Sequence, residues 1–225
     1  MNTVIYAAVV PALSVGLSLM IANALANLKN EKLKGIFQSI YFLPYVTSLV
    51  AIGVVWSWLF NGQYGIINYL LGFIGIDPIN WLSDPNWAMP ALIIFSVWKS
   101  LAFNTLILTT GIASINPQYY QAAKIDQATS STIFRKITIP LVSPIILYTY
   151  IISLIAGFKV YTEVFVLFNG RTLDGRVSTV VMYIIDRFYG DQDFPLAFAA
   201  AVVLLLIILT VTFVQRTIAR NKVHY

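Results

Sequence analysis

An all-helical, polytopic membrane bundle of about five spans is the fold class this sequence predicts, and three observations carry it. Apolar residues fill 59% of the 225 positions and charged residues only 10%, a balance that a soluble domain of this size could hardly shield from water. Five apolar stretches are each long enough, at about 1.5 Å per helical residue, to cross a hydrocarbon core of roughly 30 Å. The basic residues gather on alternate connectors.

In chain order the spans cover residues 4–28, 36–60, 88–112, 141–168 and 196–215. Pro11 and Pro44 fall inside the first two. A membrane helix bends there while its neighbours re-satisfy the freed carbonyls, so kinks are expected rather than hinges. In the connector 61–87, "YGIINYLLGFIG" is too short to span and reads as a partly inserted helix, with Trp81 and Trp87 anchoring at the interface. In the connector 169–193, "NGRTLDGRVS" has turn chemistry and no apolar demand, which suits contact with an external protein.

The connectors 29–35 and 113–140 and the tail after 215 hold Lys29, Lys32, Lys34, Lys124, Arg135, Lys136, Arg216, Arg220 and Lys222 against Glu31 and Asp126. The positive-inside rule puts them in the cytoplasm. The other two connectors carry Asp77, Asp84, Asp174, Asp186, Asp191 and Asp193 with Arg171, Arg176 and Arg187. They face outward, which leaves the C-terminus inside the cell membrane and Met1 outside. A first helix with so short an outer tail is the pattern of a chain whose earlier span is missing. No removable signal peptide precedes it.

Several function classes are excluded. Without cysteine there is no disulfide framework and no thiolate metal ligand. His224 stands near the end of a basic tail, where a solvated residue is expected, and no metal site follows from it. A membrane-embedded enzyme lacks its acid–base set, because no paired intramembrane carboxylates exist. The net charge of +5 sits on one membrane side, so it reflects topology and not nucleic acid. No Gly-x-x-x-x-Gly-Lys-Ser/Thr loop occurs, so the phosphate-cradling loop of an ATPase is absent from this chain.

The connector "YYQAAKIDQATSSTIFRKITIPLVSP", 119–144, is polar between apolar runs. Asn116 can cap a helix that opens on Pro117. Tyr119, Ala122, Ala123 and Asp126 would then share one stripe. Ser130 or Ser131 can cap a second short helix presenting Ile133, Phe134 and Ile137, which Pro140 closes. A hairpin lying on lipid should show Trp, Phe or Leu on its apolar face, whereas alanines let another protein approach closely. Docking to a partner is the favoured reading.

"YYQAAKIDQA" followed by "IFRKITIPLVSP" resembles the cytoplasmic signature of the membrane-spanning subunits of ABC importers. "YFLPYVTS", "WLFNGQYGIINYLL", "INWLSDPNWAMPALIIFSVWK" and "GFKVYTEVFVL" are similar to the carbohydrate branch, the maltose-type and glycerol-phosphate-type permeases, over essentially the whole chain. The resemblance implies six spans, a second related permease giving a heterodimer, a cytoplasmic ABC ATPase dimer that takes the ATP and magnesium, so that this chain needs no cofactor of its own, and an external solute-binding protein. It also implies a single transmembrane permease domain, 1–225, whose connector 113–140 inserts into the ATPase, with Tyr119, Gln121, Ala122, Ala123, Asp126, Gln127, Ala128, Phe134 and Pro140 as coupling residues. Two positions depart from the family pattern: Gln121 replaces an acidic residue and Gln127 a glycine. Losing that glycine matters if the backbone there needs positive φ.

Lys99, Lys159 and Glu163 are ionisable residues inside predicted spans, where such groups mark a bundle interior or a wetted path. Lys159 and Glu163 can pair at i,i+4, and either mutual neutralisation or a pathway role follows. With Asn104, Tyr161 and Thr162 they offer the hydrogen bonds and aromatic faces that would hold a sugar. The expected function is half of a solute pathway driven by ATP hydrolysis elsewhere; a channel-like or scaffold subunit without ATP coupling is the rival.

Overall fold

The computed structural model describes residues 1–28, 30–170, 173 and 175–220, and every element among them is helical. Lys29, Arg171, Asp174, Lys222 and His224, singled out above, lie outside the described residues. Four helices are long and apolar enough to cross a membrane: α1 (Asn2–Ala26), α5 (Pro85–Ala113), the run 130–158 that ends in α8 (Ile139–Phe158), and α11 (Phe194–Arg220). Counted as one span, the bent pair α2 (Glu31–Val46) and α3 (Leu49–Leu59) brings the number among the described residues to five.

The bundle is built around α1, which packs against both α5 and α8. Its buried residues recur at helical spacing: Thr3, Ala7, Val10, Ser14, Ser18, Ala22 and Leu25. Most are small, while Leu13, Leu17 and Met20 point outward. This is the pattern of a membrane helix, in which close approach of backbones supplies the packing and bulky apolar groups can face lipid. Pro11 is buried within an unbroken α1.

The second span does not merely kink. It breaks after Val46, and α2 meets α3 at 101°. Pro44 removes one N–H from the last turn of α2. The Thr47 amide and hydroxyl then both donate to Leu43 O, at 3.1 and 2.8 Å, closing the helix. Thr47 and Ser48 take extended conformations and redirect the chain. After the break, α2 lies on α5 and α3 on α9 (Thr162–Phe168). Gly53 permits the second contact, since a Cβ there would fall 2.4 Å from Val166 Cγ1.

The connector after α3 contains the short α4 (Ile66–Gly72). Trp81 does not anchor at an interface as expected; it is buried between Phe60 and Trp87, with ring centroids at 5.5 and 5.2 Å. The reason is Asn68, buried on α4. Its Oδ1 accepts from Trp81 Nε1 at 2.8 Å and from the Ile79 amide at 3.2 Å. Its Nδ2 donates to Ile79 O at 2.9 Å and Gly62 O at 3.0 Å. One amide thus ties both arms of the connector. The second outer connector also folds, into α10 (Val180–Ile185) followed by a π turn, Asp186–Gly190, which the turn-rich sequence did not suggest.

The acidic and the basic connectors lie at opposite ends of α1. Asn2 Nδ2 donates to Ser178 O at 3.1 Å and the Val180 amide donates to Thr3 Oγ1 at 3.0 Å, which joins the start of α1 to the acidic connector. At its other end Asn23 and Asn27 face the same hollow as Lys34 and Lys124.

Replacing Asn68 with Leu keeps the branched shape but leaves the Trp81 and Ile79 groups unpaired, at roughly 1–3 kcal/mol each. Hydrogen exchange at the Ile79 amide should accelerate about a hundredfold, which corresponds to about 3 kcal/mol; an unchanged rate would show that the hairpin is held elsewhere.

Candidate functional site

The fourth predicted span, 141–168, ends early. Gly157 lies so close to α1 that a Cβ would come 3.0 Å from Ala7 Cα. Just beyond it α8 stops at Phe158, the Lys159 amide closes onto Ala156 O at 3.1 Å, and α9 begins at Thr162. Lys159 and Glu163 therefore flank a break instead of sharing a helix face, and the anticipated pair between them does not form. Lys159 is exposed and makes no ion pair among the described residues. Lys99 of α5 takes its place, with Nζ 2.8 Å from Glu163 Oε1 and both side chains mostly shielded, at 29 and 20% exposure.

Deeper along the same helix, Asn104 is buried and joins three helices. Its Nδ2 donates to Ser14 Oγ on α1 at 3.1 Å, and its Oδ1 accepts from Ser153 Oγ on α8 at 3.2 Å. A buried amide costs free energy unless both ends are paired, and here both are. Tyr45 from the end of α2 stacks on Phe103 of α5, centroids 5.4 Å apart and planes 21° apart.

These groups line one cleft of about 300 Å³. Of the residues the sequence nominated for the pathway, Lys99, Asn104 and Glu163 meet there. Lys159, Tyr161 and Thr162 do not line it; Tyr161 stacks on Phe165 at 5.6 Å. Sequence reasoning missed Tyr45, Phe103, Ser100 and Ser153. Hydroxyls inside apolar spans were the available signal for the serines, and the i,i+4 spacing of Lys99 and Phe103 for the ring.

Residues 14–224 match the family described as binding-protein-dependent transport system inner membrane component. The chain belongs to that family. The permease is 30% identical to the trehalose/maltose transport system permease protein MalF of Thermococcus litoralis, over 93% of this chain and 71% of that protein. It is 33% identical to the lactose transport system permease protein LacF of Rhizobium radiobacter, over 98% and 75%. With the arabinooligosaccharides permease protein AraP of Bacillus subtilis it shares 28%, over 84% and 61%. It therefore spans 61 to 75% of the length of these relatives. A crystal structure of a bacterial ABC transporter that imports the acidic polysaccharide alginate shares the fold, with a TM-score of 0.88 at 23% identity over 98% of this chain and 77% of that one.

The permease places its polar connector as two short helices, α6 (Pro117–Ile125) and α7 (Ser130–Ile133). Asn116 caps α6 by accepting from the Gln118 amide at 3.0 Å. The cap of α7 is Thr129, one residue before the predicted serines, whose Oγ1 accepts from the Thr132 amide at 3.3 Å. The hydroxyl must precede the first turn to reach an amide within it. Pro140 does not close this helix. A π turn, Phe134–Thr138, sends the Ile139 amide back five residues to Phe134 O, and the helix continues through Pro140 into α8.

The alanine pair is split. Ala123 is buried and Ala122 is exposed. Tyr119, Gln121, Asp126 and Gln127 are exposed around it, as is Pro140 farther on, while Ala128 and Phe134 are half-buried. Ile125, which the sequence reading passed over, is 81% exposed. The outward apolar stripe is thus Tyr119, Ala122 and Ile125. Tyr120 Oη and Thr138 Oγ1 share a hydrogen bond at 3.2 Å that ties α6 to the π turn.

Gln127 occupies the left-handed region at φ 53°. Its amide donates to Lys124 O at 3.1 Å, and the Ala128 amide donates to Ala123 O at 2.9 Å, the paired bonds of a glycine-type helix stop. Gln127→Gly should relieve about 1–2 kcal/mol of left-handed strain, offset in part by about 0.5–1 kcal/mol of added chain entropy. A rise of roughly 2–4 °C per kcal/mol gained is expected in the thermal midpoint of the purified complex; a fall would show that the glutamine side chain has a stabilising contact.

Proposed function

We propose that the permease lines half of the path for a sugar or related small polar solute and passes ATP-driven motion to it from a cytoplasmic ATPase dimer. A second, related permease completes the path and an external solute-binding protein delivers the solute. Helix α5 is the observation that carries this reading. It bears Lys99, Ser100, Phe103 and Asn104 in the cleft, and about 14 Å beyond Asn104, at 1.5 Å per residue, its end at Ala113 passes through Asn116 into α6. α8 repeats the arrangement, with Ser153 and Gly157 in the cleft and the π turn and α7 at its other end. Two helices thus connect one polar cleft to one connector, so a displacement of α6 and α7 moves both cleft walls.

Chemistry supports the solute class. Saccharides are recognised by convergent hydroxyl and amide groups set among aromatic faces in a concave site. Serine hydroxyls, the Asn104 amide and the Tyr45–Phe103 stack supply them. The named sugars of the three relatives point the same way. The one-sided basic residues support a cytoplasmic side for α6 and α7, with the exposed Tyr119–Ala122–Ile125 stripe as the surface offered to the ATPase.

The chain has no native cysteine, so Ala122→Cys can be cross-linked without background. A product with the ATPase subunit is expected from Ala122→Cys and far less from the buried Ala123→Cys. Phospholipid as the sole product would support a channel or scaffold without ATP coupling.

At equal surface expression, Asn104→Leu should raise the KM for uptake about tenfold, the equivalent of about 1.4 kcal/mol. Lys159→Ala, which lies outside the cleft, should leave it unchanged. Equal effects of both would move the path away from the cleft.

A further inference from the structure

Among the described residues, Lys99 and Glu163 are the charged ones that line the cleft. Their 2.8 Å contact makes the lining neutral overall while keeping an ammonium and a carboxylate within it. We propose that this pair is a charge filter: it admits uncharged polyhydroxylated solutes and rejects anionic ones. The inference rests on the cleft being the solute path.

The argument follows from donor and acceptor counts. An ammonium has three donors and a carboxylate about four acceptor positions. The described contact uses one donor of Lys99 and one oxygen of Glu163. The remainder can donate to and accept from neighbouring hydroxyls of a sugar while the pair stays intact. A solute carboxylate has a different effect. To reach Lys99 it must displace Glu163, and it would leave that carboxylate shielded and without its cation, the costly outcome for any ion pair withdrawn from water. A solute that leaves the pair intact meets no net field in the lining, so long-range attraction favours neither sign.

Geometry makes the pair a selective element and not only a structural tie. Glu163 stands in the first turn of α9, just past the break after α8, and Lys99 stands mid-way along α5. Both retain exposure toward the cleft, beside Ser100 and Tyr6. A pair serving packing alone would be sealed, whereas this one keeps its unused hydrogen-bonding positions available to a solute.

Ser100→Cys supplies a reporter in the cleft of a chain that has no other cysteine. In the assembled transporter, labelling rates are measured with anionic, cationic and neutral methanethiosulfonates, each normalised to a free thiol. With the pair intact, the normalised anionic and cationic rates should both fall below the neutral rate and agree with each other within about threefold; an anionic rate equal to the neutral one would overturn the filter. Glu163→Gln should raise the anionic-to-cationic ratio by about tenfold, and Lys99→Gln should lower it by about tenfold, the lower end of what focused fields in clefts produce. The exchanged pair Lys99→Glu with Glu163→Lys should return the ratio to its starting value, which separates charge from misfolding. Ratios equal in every variant would overturn the filter.

Protection of the same cysteine supplies the second readout. Maltotriose should slow neutral labelling in the Ser100→Cys protein and trigalacturonate should not. In Glu163→Gln the uronate should protect as well. Protection by both sugars with the pair intact would overturn the filter alone. Protection by neither, in a protein whose labelling ratios respond to charge as stated, would overturn the pathway reading and the filter with it.

Discussion

Inside hydrocarbon no water is available to an unpaired backbone N–H or C=O, so a chain can leave the helical path only where the protein itself supplies partners. That constraint organises this structure. The break after α2 is closed on Leu43 O by the amide and hydroxyl of Thr47. The break after α8 is closed by the amides of Lys159 and Val160 on Ala156 O and Gly157 O, at 3.1 and 3.4 Å. Both breaks border the same interior cleft: Tyr45 enters it from one and Glu163 from the other. Polar lining and irregular backbone occur together for one physical reason.

Close helix approach is the second requirement. The small-residue stripe of α1 allows α5 and α8 to draw in on either side, and Gly157 lets α8 reach the backbone at Ala7. With three helices this near, a single amide can span them, and the Ser14–Asn104–Ser153 chain does so. Larger residues on α1 would separate the helices and strand that amide without partners.

Much was legible from residue order alone. Asn116–Pro117 announced the start of α6 because a short acceptor side chain followed by proline suits the first turn of a helix and little else. The family pattern, not residue order, raised the question of positive φ at Gln127, and the residue does adopt it. Lys99 and Glu163 stood out because ions are rare in apolar spans. Their mutual pairing was not legible: i,i+4 spacing made Lys159 the natural partner of Glu163, and that spacing has meaning only while the helix continues. The same limit hid Asn68, since no local pattern distinguishes an asparagine that holds Trp81 and Ile79 from one that faces solvent.

Composition and apolar run length were enough to determine a helical membrane protein of four to five candidate spans, because transfer of side chains between water and lipid is nearly additive along the chain. Where helices break, which charge meets which, and whether Ala122 or Ala123 faces outward were decided by tertiary structure. Those outcomes depend on contacts between residues far apart in sequence, such as Gly157 against Ala7 and Lys99 against Glu163, and a hydrogen bond or ion pair acts only across the few ångströms that folding creates.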